Sequence, residues 1–464
     1  MSRLSLLASS ALALLPLSFP AIAATCTTAS VGEIVCDGAG NAPVSSAEDN
    51  LTVTIAPGAE VISTDSAATP VALSGNAAAV DNSGVVAQDT PDQEGYAITG
   101  TGDGLTVTNR AQIRSTDRGI AMLDGRDLTV RNLEGALIES RRQGIRAEEN
   151  APSARVENFG TIDAEEGRAI QLRAFGSSVI NEGLLLGGEE VIEARGDFTL
   201  ENSGTIRLND ETVPDEDGVQ FASGTVTNSG TIRGTDDGID ADEGEILNSG
   251  DIISLAPDDA MNSGIDVDPA YEDEINPVRP SGPLRIVNSG LIEGPSAIGT
   301  DAESASEVTV ENTGTLRARG ATAIRFGADQ GDSTVRIGEG SEIVGDILFG
   351  GGDDRVIVET AFRGDLADGI FDGGAGTDLV SLAGFGVDDL TAFDTDGTGM
   401  TAISLSDGTG RIEGLFRNFE TWSLNGETFS TAELGTAVTP VPLPASLPLL
   451  LVALGGVFGL RRRG

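Results

Sequence analysis

Val226-Thr-Asn228-Ser-Gly230-Thr-Ile232-Arg233 decides the reading of this chain, because altered copies of it recur along the sequence. Close copies run from Leu200 to Ile206, Ile246 to Ile252, Ile286 to Ile292, Val156 to Ile162 and Val310 to Leu316. Weaker ones centre on Asn82, Asn109, Asn132 and Asn181. From Asn82 through Asn109, Asn132, Asn158, Asn181, Asn202, Asn228, Asn248 and Asn288 to Asn312 the steps are 27, 23, 26, 23, 21, 26, 20, 40 and 24 residues. A period of this size is the signature of a solenoid.

One unit can be read in physical terms. The apolar residues on either side of Asn-Ser-Gly point inward, and Asn and Gly are expected to take left-handed backbone at a corner between two short strands. A third strand follows about ten residues later, as in Gly119-Ile-Ala-Met122, Gly144-Ile-Arg-Ala147, Gly218-Val-Gln-Phe221, Gly238-Ile-Asp-Ala241 and Gly264-Ile-Asp-Val267. Three strands and three turns, with no room for an ordinary helix, describe one rung of a single-stranded parallel β-helix. The expected fold is therefore all-β, with about 12 rungs of roughly 24 residues. At a spacing of about 4.8 Å such a rod is about 60 Å long. The asparagines are expected to stack as a hydrogen-bonded ladder.

Composition limits what the protein does. The chain has 464 residues and a formal charge of -45. All 28 basic residues are arginine, and histidine is absent. That charge excludes nucleic acid as a default partner. The missing lysine and histidine remove Schiff-base chemistry, histidine triads and histidine metal sites. Sixty-two glycines and 4% aromatic residues suit a narrow core of Val, Ile, Leu and Ala.

The sequence divides into five spans. Residues 1–24 carry an early arginine, an apolar run from Leu6 to Leu17 and small residues before the expected cut, which is a secretory signal peptide. Residues 25–50 form an N-terminal cap in which Cys26 and Cys36, the only cysteines, are expected to pair in an oxidising compartment. Rungs occupy 51–347, with the long step after Asn248 assigned to an acidic loop on one corner. Residues 348–434 hold Gly/Asp-rich turns and a C-terminal β cap, where Phe416, Phe419 and Trp422 are expected to plug the last rung. Residues 435–464 form a sorting segment.

Several of these stretches carry resemblances. Phe371-Asp-Gly373-Gly-Ala-Gly376-Thr-Asp378-Leu-Val380 and the less complete Phe349-Gly-Gly-Gly352-Asp-Asp354-Arg-Val resemble the Gly/Asp nonapeptide of RTX proteins. That resemblance implies calcium held by carbonyls and carboxylates of Gly352, Asp354, Gly374, Gly376 and Asp378. The alternative is that these turns simply continue the solenoid. Asn418-Phe-Glu-Thr-Trp422-Ser-Leu424 resembles the end of autotransporter passenger domains, although the long alternating strands of a membrane barrel do not follow it. Val441, Pro442, Leu443, Pro444 and Ala445 precede an apolar run from Leu447 to Leu460 and then Arg461, Arg462 and Arg463. This tripartite tail resembles the VPLPA branch of PEP-CTERM sorting signals of Gram-negative bacteria.

The sorting resemblance implies export and transient anchoring in the inner membrane through the apolar transmembrane segment, with the arginines kept cytoplasmic. It also implies cutting by an exosortase-type processing enzyme, followed by release or attachment at the cell surface, often alongside exopolysaccharide.

The strongest catalytic constellation is Asp240, Asp242, Asp266 and Asp268, which share a Gly-Ile-Asp-x-Asp frame. Side chains two apart on a strand face one way, so these carboxylates are expected to gather. They would serve as acid and base on a glycoside, or hold a cation. Against this stand the absence of His and Lys and the variety of residues at the same positions of other rungs. The reading is of a non-enzymatic exported β-helix for adhesion or exopolysaccharide association. A polysaccharide lyase or hydrolase and a plain structural spacer are the alternatives.

Overall fold

In a computed structural model the protein is an all-β solenoid of about 12 turns. The structure describes residues 25–437 apart from 41, 91–94, 259–260, 268–281, 301–306 and 329–330. The signal peptide, Asp268 and the sorting residues from Val441 to Arg463 lie outside the described residues.

Each turn contributes a strand to each of three faces. On the first face Ala79–Asn82, Thr106–Asn109, Thr129–Asn132, Arg155–Asn158 and Ser178–Asn181 stack in parallel, residue on residue. The second face holds the strands after the Asn-Ser-Gly corner, such as Gln112–Ser115 on Leu137–Ser140. The third holds the Gly-Ile strands, such as Ile145–Ala147 on Ile170–Leu172. Alternation fixes which side chains turn inward. Val80, Val107, Val130, Val156 and Val179 form one inward column and are no more than 1% exposed. Full burial of each such side chain is worth about 1.5–3 kcal/mol.

The asparagines form a ladder. Nδ2 of Asn82 donates to Oδ1 of Asn109 at 2.8 Å. The same bond repeats without a break through Asn132, Asn158, Asn181, Asn202, Asn228, Asn248 and Asn288 to Asn312, at 2.7–2.9 Å. The 40-residue step keeps the pattern, because the chain between Asn248 and Asn288 still supplies a third-face strand, Ser263–Val267. Beyond both ends of the ladder the column becomes apolar, with Cys36 and Ile55 before Asn82 and Ile337, Val358, Leu382 and Leu424 after Asn312.

The corner glycine works differently from the sequence expectation. Neither the asparagines nor the glycines of Asn-Ser-Gly have positive φ. Instead a Cβ on Gly230 would sit 2.1 Å from the carbonyl oxygen of Gly204 in the rung before, and one on Gly250 would sit 2.1 Å from that of Gly230. The corner requires glycine because successive rungs touch there through backbone alone.

The parallel stack is longer than residues 51–347. It begins inside the N-terminal span, where Glu33–Cys36 pairs in parallel with Thr52–Ile55 and Val44–Ser46 with Val71–Leu73. It also continues through Arg355–Val358 and Leu379–Leu382 to Thr421–Leu424.

Each end is closed by antiparallel structure. Thr25–Ser30 folds back on Glu33–Asp37, with Cys26 and Cys36 opposite one another and joined by a disulfide. At the other end the hairpin of Leu390–Thr395 and Thr401–Ser406 packs its Phe393 on Trp422, ring centroids 5.2 Å apart. Phe416 lies between Phe371 at 4.9 Å and Trp422 at 5.2 Å. A short helix, Thr431–Ala437, buries Leu434 and crosses the expected boundary at 434/435. Among the described residues no helix is long and apolar enough to cross a membrane.

Candidate functional site

Two acidic corners stand out. The first is built from the Gly/Asp turns, which are corners of the coil one rung apart. Gly352, Gly374 and Gly376 all have positive φ, and a Cβ on Gly376 would meet the carbonyl oxygen of Gly352 at 1.7 Å. This close stacking sets the carboxylates one above another. Asp354 Oδ1 accepts the Ser333 N–H at 2.6 Å, Asp378 Oδ1 accepts the Asp354 N–H at 2.8 Å, and Glu420 Oε2 accepts the Asp378 N–H at 3.0 Å. Thus all five residues singled out for calcium share two adjacent turns, and the Oδ1 atoms of the two aspartates tie rung to rung. The second oxygens of Asp354 and Asp378 are buried and accept no hydrogen bond.

Burial pushes the Asp354 carboxyl up to about 7, and the charges of Asp378, Asp332 and Asp353 add to it against the Ser333 N–H. Asp378 is pushed up to about 6, again by burial first, with Glu420 among the charges that help. A buried carboxylate without a cationic partner is held neutral or takes a cation. The chemistry of this donor set, oxygen only, suits calcium.

The second corner leads into the third-face strands. Asp240 and Asp266 are register partners in adjacent rungs, as the shared frame led us to expect. Gln220, one rung earlier, donates from Nε2 to Asp240 Oδ2 at 2.9 Å. Asp242 does not continue this outward row. Alternation breaks at Ala241 and Asp242, both of which are buried, where the single strand Ile239–Asn248 passes from the third face to the first. The two-residue rule fails at that bend.

The residues that do gather beside Asp240 and Asp266 precede the strand. Asp217, Asp236 and Asp237 each place a carboxylate oxygen within 4.8 Å of the others. Asp237 donates its N–H to Asp217 Oδ1 at 3.0 Å, and Ser263 donates its N–H to Asp237 Oδ1 at 2.6 Å. Burial, then the charge of Asp240, holds Asp217 well above the ordinary carboxylate range, and burial, then the charge of Asp266, does the same to Asp237. Upstream on the same corner, Arg168 pairs with Glu189, Glu190 and Glu193. Sequence reasoning passed over these aspartates. Their signal is the repeated Asp-Gly step before the strand, Asp217-Gly218 and Asp237-Gly238.

This arrangement has two chemical uses. Stacked carboxylates whose proton affinity is raised by burial can supply an acid for an acid/base pair. The same oxygens, turned to one point, are ligands for a hard cation. Comparisons with protein-family models, curated proteins and solved structures found no match for this chain.

Proposed function

We propose that this chain is an exported, non-enzymatic β-helix of the cell surface or extracellular matrix. In this reading it works in adhesion or exopolysaccharide association, with calcium at its acidic corners bridging to the partner. The observation that carries the reading is the pair of stacked carboxylate corners on a rigid rod, at Asp354 and Asp378 and at Asp217 and Asp237. A field of one sign along a rod favours cations, and through them anionic or hydroxyl-rich polymers. The test is binding of the purified protein to a glycan array with and without calcium. Calcium-dependent binding to acidic glycans is the expected result, and equal, featureless signals in both arms overturn it.

The polysaccharide-cleaving alternative draws support from the raised Asp217 and Asp237 beside the register pair Asp240 and Asp266. Turnover of a polysaccharide that disappears in Asp240→Asn would establish that reading in place of ours.

The tail from Val441 to Arg463 supports processing by an exosortase-type enzyme near Pro444, after transient insertion of the apolar run in the inner membrane. Mass spectrometry of the mature protein is expected to show a C-terminus close to Ala445 in cells that hold the processing enzyme, and the uncut tail in cells that lack it. The same mature C-terminus in both removes the sorting assignment.

A further inference from the structure

Away from both acidic corners the rod carries a cavity. Where the second face turns toward the third, a pit of about 470 Å³ opens across the strands Gln112–Ser115, Leu137–Ser140 and Thr161–Ala164. That volume lies in the range of small-molecule sites. The corner residues that follow these strands, Thr116, Arg141 and Glu165, line it. One rung further on, the same corner position is Gly188, where a Cβ would lie 2.3 Å from the carbonyl oxygen of Glu165, so no side chain can stand there. Asn209, one rung beyond that, reaches across the gap and donates from Nδ2 to the Ala164 carbonyl at 2.8 Å. With no side chain at Gly188, it is Asn209 that walls the pit at this end.

The walls carry donors and acceptors that are not spent on each other. Arg114, Glu139 and Asp163 are register partners in three successive rungs. That order would pair Arg114 with Glu139, yet Arg114 Nη1 turns back to Asp89 Oδ1 at 2.5 Å. Arg141 donates from Nη1 to Glu166 Oε2 at 2.6 Å and from Nε to the Thr116 carbonyl at 3.3 Å. A guanidinium has five N–H donors, and these bonds use one on Arg114 and two on Arg141. Glu139 accepts only the Gln112 amide, at 3.4 Å. Among the described residues the carboxylates of Asp163 and Glu165 have no hydrogen bond or ion pair. Glu139 and Asp163 also stand side by side in adjacent rungs, and like charges so placed cost stability. The fold carries that cost beside two arginines that hold spare donors.

We propose that this pit takes an uncharged sugar residue of a glycan chain, whose hydroxyl groups accept from Arg114 and Arg141 and donate to Asp163 and Glu165. A hydroxyl donates and accepts through one atom, so it answers both sets at once. An anionic ligand would meet the carboxylates of Glu139, Asp163 and Glu165, and a bare cation would leave the guanidinium donors unanswered. Both arginines are already tied, to Asp89 and to Glu166, so binding has little side-chain freedom to remove. Among the described residues no aromatic side chain lines the pit, so affinity rests on hydrogen bonds exchanged with water and falls in the millimolar range. The assignment rests on the reading that the rod meets polysaccharide, and adds a place and a glycan class, uncharged and held without calcium.

Saturation-transfer NMR of the purified protein with uncharged oligosaccharides (glucans, mannans and galactans) in buffer containing EDTA tests the assignment. Transfer to at least one of these series is expected, and Arg114→Ala and Asp163→Ala should each weaken its binding at least tenfold. The Asp163 carboxylate has no bond to lose, so Asp163→Ala should melt no lower than the parent protein. Asp354→Asn/Asp378→Asn should leave the binding intact. Absence of transfer to every uncharged series in the parent, or binding that Asp163→Ala leaves unchanged, overturns the proposal. Loss of binding in Asp354→Asn/Asp378→Asn would assign the contact to the Gly/Asp turns and overturn it equally. The glycan array with calcium reports separately on the acidic corners. Binding of acidic glycans alone, and only with calcium, would keep the proposed surface function and reject the pit. Uncharged glycans held in EDTA, with no calcium-dependent signal on the array, would keep the pit and reject calcium bridging.

Discussion

Asn158→Ala should destabilise the coil by roughly 2–4 kcal/mol, the cost of an unsatisfied buried acceptor plus a lost side chain. Asn158 is fully buried; its Oδ1 accepts from Asn132 at 2.8 Å and its Nδ2 donates to Asn181 at 2.8 Å and to the Leu184 carbonyl at 3.2 Å. Truncation leaves Asn181 Oδ1 without its donor from the rung before. The end of the ladder is the internal comparison. In Asn312→Ile the neighbour affected is Asn288, whose Nδ2 still reaches the carbonyls of Thr315 and Gly290, and isoleucine already occupies the next place in the column, at Ile337. That substitution is expected to cost less than half as much.

Asn158→Asp separates the hydrogen bond from shape. An ionised carboxylate cannot donate to Asn181 Oδ1, so this variant should be weaker than Asn158→Ala at pH 7 and recover in acid. Denaturant midpoints, with hydrogen exchange at the corner amides to locate the loss, measure all three. Equal midpoints for Asn158→Ala and Asn312→Ile would remove the ladder from the energetics of the fold.

The second large effect concerns pH. Asp354 and Asp378 titrate at about 7 and about 6 in the folded protein, against 3.8 as the ordinary value. Between these limits the folded state holds more protons than the unfolded one, so stability falls as pH rises. The contribution is complete below about pH 4 and is lost as pH passes through 6 and 7. In a chelating buffer the C-terminal rungs should therefore melt at a lower temperature at pH 8 than at pH 5. Asp354→Asn/Asp378→Asn should abolish that difference and raise the pH 8 value by several degrees. Asparagine retains an acceptor for the Ser333 and Asp354 N–H groups and removes the buried charge. A melting temperature of these rungs that does not change from pH 5 to pH 8, or a fall in the double variant at pH 8, would refute this account of the corner.

The fold was largely open to reading from the sequence, because in a solenoid each rung repeats the same local instruction. Inward columns such as Val107, Val130 and Val156 and the positions of the asparagines follow from alternation and period alone. The extent of the stack was not. Glu33–Cys36 and Arg355–Val358 carry no Asn-Ser-Gly, since the ladder column becomes Cys36 and Val358 there, and a motif search ends where the motif does. The corner glycine was also misread, because a requirement set by the rung below leaves no trace in local sequence. The site was legible in part. Asp240 and Asp266 share a frame and stand in register, but Asp242 lies where a strand changes face. Asp217 and Asp237 sit in turns, where alternation has nothing to say.

The amide column has a further consequence. Every Nδ2 from Asn82 to Asn288 points toward the C-terminal end, and each is held that way by a carbonyl two residues on or in the next rung, such as Gly183 for Asn181 and Asp251 for Asn228. A single reversed amide would set donor against donor on one side and acceptor against acceptor on the other. The column is therefore polarised in one sense along its whole length, its small dipoles adding as peptide dipoles do in a helix. One edge of the rod thus carries a built-in electrical direction, with its positive pole at Asn312, facing the end where the Asp354 and Asp378 carboxylates stand.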